Sequence, residues 1–190
     1  GCATRYGDYS LALKAVERPT ATTVKYGEGA ISNSYSFEDT MLSLSCAPND
    51  QRSFDVLLKN KTDNSLKVNW DDGAIVDADG VTHQISHSTV KIIDIGRAQP
   101  PTMIPKGSAL NDSVFPADKV EWSDLVNHYI ILPMVPIGDE QARQGYIGKT
   151  IRLILPVENE GVKHEYTFVF ELGAPPDKPK NAKTATHSQS

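Results

Sequence analysis

The chain has 190 residues, a net charge of −5 and a sequence pI near 5.5. With 39% hydrophobic and 23% charged residues, it is too apolar for a disordered polyelectrolyte and too acidic for a dedicated nucleic-acid binder. No apolar run reaches the ~18 residues of a membrane-spanning helix, and a chain of this size buries roughly 70% of its unfolded surface without disulfide or metal staples.

Residues 1–8 read as an N-terminal tether. Residues 9–17 carry Tyr9, Leu11, Leu13 and Ala15 at period two, the spacing of a strand with one buried face, although Ala and Leu also permit helix. Arg18-Pro19-Thr20 breaks this run. Residues 21–37, rich in Thr, Ser, Gly and Tyr, suit a short strand and a long loop. Alternation returns over 40–46 and ends at the turn cluster Ala47-Pro48-Asn49-Asp50. Phe54, Val56 and Leu58 then alternate, a polar segment covers 60–65, and Leu66, Val68 and Trp70 alternate again, the pattern of strand, turn and strand. Ala74-Ile75-Val76 and residues 81–85 flank Asp77-Ala78-Asp79-Gly80, a hairpin turn.

Residues 89–95 form another apolar, β-branched run and are expected as a strand. Pro100, Pro101, Pro105 and Pro116 break 96–118 into extended pieces. Residues 118–127 suit a short helix or a strand, 129–135 an apolar strand, and 138–148 a polar loop. Ile151, Leu153 and Leu155 share one face, and Tyr166, Phe168 and Phe170 share another beyond the turn at 158–161, the strongest hairpin in the chain. From Gly173 onward, prolines, lysines and small polar residues read as a disordered tail.

Short alternating strands with turn clusters every ~8–12 residues predict an all-β chain, an antiparallel β-sandwich. The expected organisation is a tether over 1–8, a sandwich domain over 9–172 and a tail over 173–190. The expected core is Leu42, Leu44, Phe54, Val56, Leu58, Val68, Ile151, Leu153, Phe168 and Phe170.

Gly1-Cys2-Ala3-Thr4 resembles the end of a bacterial lipobox. That resemblance implies a signal peptide ahead of Cys2, lipidation of Cys2 (palmitate included), and anchoring of the domain to a membrane, each buried methylene adding ~0.8 kcal/mol. Ala3 in place of Asp implies the outer membrane, facing the periplasm. Cys46 closes the face of Leu42 and Leu44 and reads as a core thiol; a Cys2–Cys46 disulfide is the rival reading in an oxidising compartment. Residues 54–120 resemble the Ig-like domains of bacterial surface lipoproteins, on Asn60-x-Thr62, Val68-x-Trp70, the Asp-Gly turn and Ile104-Pro105-Lys106-Gly107-Ser108. The Cys…Trp…Cys core of antibody domains is lacking.

Few residues stand out for chemistry. Asp77 and Asp79 are candidate calcium ligands, yet the twelfth position counted from Asp77 is Ser88 rather than the Glu of an EF-hand loop, and a solvated hairpin tip is the plainer reading. His83 and His87 lie ~13 Å apart if both sit on one strand, too far for a single zinc. Gly148-Lys149-Thr150 ends like a phosphate loop, but Arg143 stands where that loop needs Gly. Asn60-Lys61-Thr62 and Asn111-Asp112-Ser113 are formal glycosylation sequons and read as turns. No Gly-x-Ser-x-Gly elbow occurs, so neither catalysis nor a cofactor is expected. Trp70, Trp122, Tyr129 and Tyr146 are the candidate contact residues, because aromatic side chains anchor interfaces. A half-buried sandwich residue is the plainer reading of Trp70.

The expectation is a non-catalytic, membrane-tethered interaction or structural module. Its partners would be a membrane, through the lipid anchor, and a protein of the cell envelope, not nucleic acid. Two alternatives stand beside it: a carbohydrate- or small-ligand-binding module using exposed aromatics and the acidic hairpin, and a hydrolase, whose mark would be a deep pocket with two acids or a His–acid pair.

Overall fold

The computed structural model describes residues 9–17, 24–25 and 35–175. The expected tether, Cys2 and the tail beyond residue 175 lie outside the described residues. In chain order the strands are β1 (Ser10–Glu17), β2 (Val24–Lys25), β3 (Ser36–Glu38), β4 (Leu42–Asn49), β5 (Ser53–Asn60), β6 (Leu66–Val68) and β7 (Ala74–Val76). They continue as β8 (Thr82–His87), β9 (Thr102–Ile104), β10 (Ala109–Pro116), β11 (Val120–Ser123), β12 (His128–Ile131), β13 (Thr150–Asn159) and β14 (Val162–Gly173). One short helix, α1 (Glu140–Gln144), interrupts them, its first turn capped by Asp139 Oδ1 accepting from the Gln141 and Ala142 N–H groups.

The chain is all-β and antiparallel. The strand path runs β2-β1-β14-β13-β7-β8-β10-β5-β4-β3, with β6 on β13 and β9 on β6; β11 and β12 form a separate two-stranded ribbon. Strand β8 is the turning point. Its first half pairs with β7 (Val76↔Thr82 to Ala74↔Gln84), and its second half pairs with β10 (Pro116↔Ile85 to Val114↔His87). The path thereby folds over onto itself. Its far ends come together where the Tyr35 hydroxyl donates to the Leu11 carbonyl at 2.8 Å and where Phe37 of β3 packs on Tyr166 and Phe168 of β14. The result is a nearly closed, barrel-like antiparallel sheet.

Period-two alternation explains the core. All ten residues expected there are buried, along with Ile75, Ile85, Leu155 and Val157. Phe54 and Phe170 stack across the interior with ring centres 4.8 Å apart. The β13–β14 hairpin forms as expected and turns through Glu160 and Gly161, both at positive φ. In β1 the face assignment slips: a register shift between Leu13 and Ala15 buries Val16 instead of Ala15.

Further expectations are corrected. Residues 89–95 are not a strand; they hold a turn and the 3-10 segment Ile92–Asp94, with Ile92 and Ile93 exposed. The segment 60–65 does not fold β6 back on β5. It crosses to β13 and β9, because the Asn60 amide donates to the carbonyls of Asn64 and Ile104. That same buried side chain leaves the first sequon without an accessible asparagine. Finally, β14 runs through Gly173, where the tail was expected to start. No helix among the described residues is long and apolar enough to cross a membrane.

Candidate functional site

The four aromatic candidates separate into three environments. Trp70 is fully buried, so its indole offers no surface contact. Its Nε1–H donates to Thr102 Oγ1 at 2.8 Å, which satisfies the polar edge of a core side chain. Tyr146 is half-buried; its hydroxyl donates to Asp79 Oδ2, and Lys149 Nζ sits 4.0 Å from its ring centre while donating to Asp79 Oδ1. The hydrogen bond to Asp79 is the main cause that pushes the Tyr146 phenol up to about 12.

Trp122 and Tyr129 do meet at the surface. They are cross-strand partners on the β11–β12 ribbon, packed edge to face with ring centres 5.2 Å apart. Each is nearly half exposed, and at the tip between them Leu125 is 94% exposed and Val126 is exposed as well. The base of the ribbon is fixed by Arg52 Nε donating to the Ile131 carbonyl and by the Leu132 N–H donating to the Lys119 carbonyl. A braced two-stranded ribbon thus presents four large apolar side chains to solvent.

Asp77 and Asp79 do not converge on a common point. Asp77 Oδ1 accepts from the N–H groups of Asp79 and Val81, which builds the hairpin turn, while Oδ2 faces His83 Nε2 at 3.0 Å. Asp79 is engaged by Lys149 and Tyr146, and those hydrogen bonds hold its carboxyl below the usual range. Among the described residues no group of three or more His, Cys, Asp or Glu side chains is placed to hold a metal ion.

His83 sits between two carboxylates. Its Nδ1 lies 2.8 Å from Asp118 Oδ2, and its Nε2 faces Asp77. Only the imidazolium donates from both nitrogens. Burial pulls the ring's pKa down, but hydrogen bonds and charge from Asp77 and Asp118 outweigh it and the net shift is upward.

Sequence reasoning weighed His87 only as a metal ligand and missed an enclosed polar pair. His87, at the end of β8, is 4% exposed and pairs through Nδ1 with Asp112 Oδ2 of β10 at 2.8 Å. Asp112 Oδ1 accepts from the N–H groups of Ser88 and Ser113 and from the Ser88 hydroxyl. Burial pushes the Asp112 carboxyl up, yet these hydrogen bonds and that from His87 bring it below its ordinary value. The ionised carboxylate therefore holds the proton on Nδ1. Nε2 makes no hydrogen bond to a described residue, and His87 borders a cleft of about 400 Å³ walled by Thr89, Lys91, Arg97, Gln99 and Thr102. In the same wall, Gln99 donates from Nε2 to the Ile85 carbonyl, while its buried Oε1 has no partner among the described residues.

This is a His–acid pair beside a cleft, but it is not wired as a nucleophilic triad. The nearest hydroxyl, Thr89 Oγ1, lies 2.9 Å from Nδ1 rather than on Nε2. His87 and Asp112 are 25 residues apart in sequence, and only the β8–β10 pairing brings them together. No protein-family model, curated protein or solved structure matches this chain.

Proposed function

We propose that this chain is a non-catalytic domain that works by contact, an Ig-like sandwich in type, held at the periplasmic face of a bacterial outer membrane and touching a protein partner of the envelope through the β11–β12 ribbon. The observation that carries the contact role is the exposed set Trp122, Leu125, Val126 and Tyr129 on a braced ribbon. Exposed aromatics on a fixed backbone lose little side-chain entropy on docking and contribute large contact area. The anchoring half of the reading rests on the lipobox-like Gly1-Cys2-Ala3-Thr4.

A photo-crosslinking residue at position 125, introduced in the producing cell, tests the contact. The expected result is one adduct of defined mass, absent when the crosslinker replaces the exposed Val162 on the β13–β14 turn and lost in the Trp122→Ser background. Adducts of equal yield and variety at both positions overturn the role of the ribbon. Intact-mass measurement of the protein from membranes tests the anchor separately, an unmodified Cys2 being the contrary outcome.

A further inference from the structure

The geometry points to a second, independent function: the cleft beside His87 binds a small molecule through an oxyanion, a carboxylate or phosphate, with His87 Nε2 as the donor and Lys91 and Arg97 at the rim. This goes beyond contact through the ribbon, which uses none of these residues.

Three observations and one general rule carry it. The cleft has about 400 Å³, within the range that encloses a small ligand. The His87 side chain, more than nine-tenths buried, lines it, and its Nε2 has no hydrogen bond to a described residue. Polar atoms of enclosed side chains are almost always satisfied, by protein or by solvent, so one left open at a cleft is available to a ligand. The ring cannot turn to find another partner, because Asp112 holds Nδ1 and Trp70 covers its face at 4.2 Å.

The charge of the lining selects the ligand. Two cations, Lys91 and Arg97, stand against one carboxylate, Asp94, which Arg97 already pairs at 2.9 Å. The lining alone therefore carries one excess positive charge, on a chain whose net charge is −5. Two further carboxylates stand outside the lining: Asp112, behind the ring, and Asp71, which accepts from the Gln99 backbone N–H. With Nδ1 committed to Asp112, neutral His87 turns a lone pair toward the cleft and repels an oxyanion. The imidazolium turns an N–H toward it. An oxyanion at Nε2 is thus held by the imidazolium, which carries a proton on each ring nitrogen.

The test is an NMR titration of the His87 ring signals with inorganic phosphate, acetate and glucuronate, with glucose as the neutral control, in parallel with calorimetry. The expected result is a saturable shift at His87 for at least one anion with a matching heat of binding, and neither for glucose. Lys91→Gln with Arg97→Gln, both on the cleft rim and outside the core, should weaken binding about tenfold or more. Phosphate acting alone assigns a phosphate site, and the organic acids acting alone assign a carboxylate site. No shift at His87 with any anion, an equal response to glucose, or binding untouched by the rim double variant overturns the proposal.

Discussion

The indole of Trp70 lies flat on the imidazole of His87, with ring centres 4.2 Å apart and planes inclined by 16°. The contact lets a polar pair sit inside an apolar core. Trp70 covers the ring face, Asp112 takes the ring edge, and Thr102 takes the indole N–H. The short 3-10 turn Trp70–Asp72, β8, β9 and β10 are thereby tied together at one point. Gly73 makes room for this crossing, since a Cβ there would fall 2.3 Å from Ile85 Cδ1.

Trp70→Ala should cost ~3–5 kcal/mol in urea unfolding, the range for deleting a large core aromatic. Trp70→Phe keeps a ring on His87 but leaves Thr102 Oγ1 without its donor, so about 1–2 kcal/mol of that loss should remain. A Trp70→Ala loss below ~1 kcal/mol would show that the stack is not part of the packed core.

Cys46 should be inert in the native state. It is a fully buried free thiol, and burial, reinforced by the charge of Asp55, pushes its pKa far up. Thiolate is the reactive form, so alkylation by iodoacetamide should track global unfolding and rise with urea along the same curve as fluorescence. Rapid labelling of Cys46 in buffer at neutral pH would contradict its burial.

Much of this fold was legible because alternation is a local signal. Leu42, Leu44 and Cys46, and likewise Ile151, Leu153 and Leu155, announce a buried face wherever their strands pair. Partners are not local. Nothing in 60–66 says that β6 joins β13 rather than β5; that choice follows from Asn60 reaching the Ile104 carbonyl, 44 residues away. The apolar run Ile92-Ile93 misled because β-branched residues signal strand only when a neighbouring strand is available to pair with them. At the candidate sites the same division holds. Trp122 and Tyr129 could be named as aromatics, the residue type that anchors interfaces, whereas the His87–Asp112 pair exists only through the register of β8 on β10.

The ribbon should be separable from folding. Leu125 is 94% exposed, so Leu125→Asp removes no core contact and should change unfolding free energy by no more than ~0.5 kcal/mol. The same substitution places a charge at the centre of the proposed contact and should abolish the adduct formed from a crosslinker at Val126. A variant that destabilises the domain by ~2 kcal/mol or more would mean that Leu125 packs within the molecule.

His83 should give the protein a specific pH dependence. The folded ring, held by Asp77 and Asp118, titrates above its ordinary value of ~6.5, so its contribution to stability is complete below about that pH and is lost as pH rises through the higher folded value. The Asp77 carboxyl shifts the other way: burial pushes it up, but hydrogen bonds from His83 and from the Val81 and Asp79 N–H groups prevail and lower it. Its contribution is present above ~3.9 and is lost as pH falls through the depressed folded value. Both terms are therefore complete between about pH 4 and 6.5. His83→Gln retains a donor but no charge, and the other titrating groups are common to both proteins, so the difference in unfolding free energy isolates the clamp. That difference should be largest near pH 6 and shrink toward pH 9, approximately, as the wild-type ring loses its proton. Asp118, which is largely exposed, supplies one of the two carboxylates. Asp118→Asn should accordingly lower the NMR titration midpoint of His83 without unfolding the domain. A pH-independent difference between wild type and His83→Gln, or a His83 midpoint unmoved by Asp118→Asn, would mean that the two carboxylates do not hold the ring as an imidazolium.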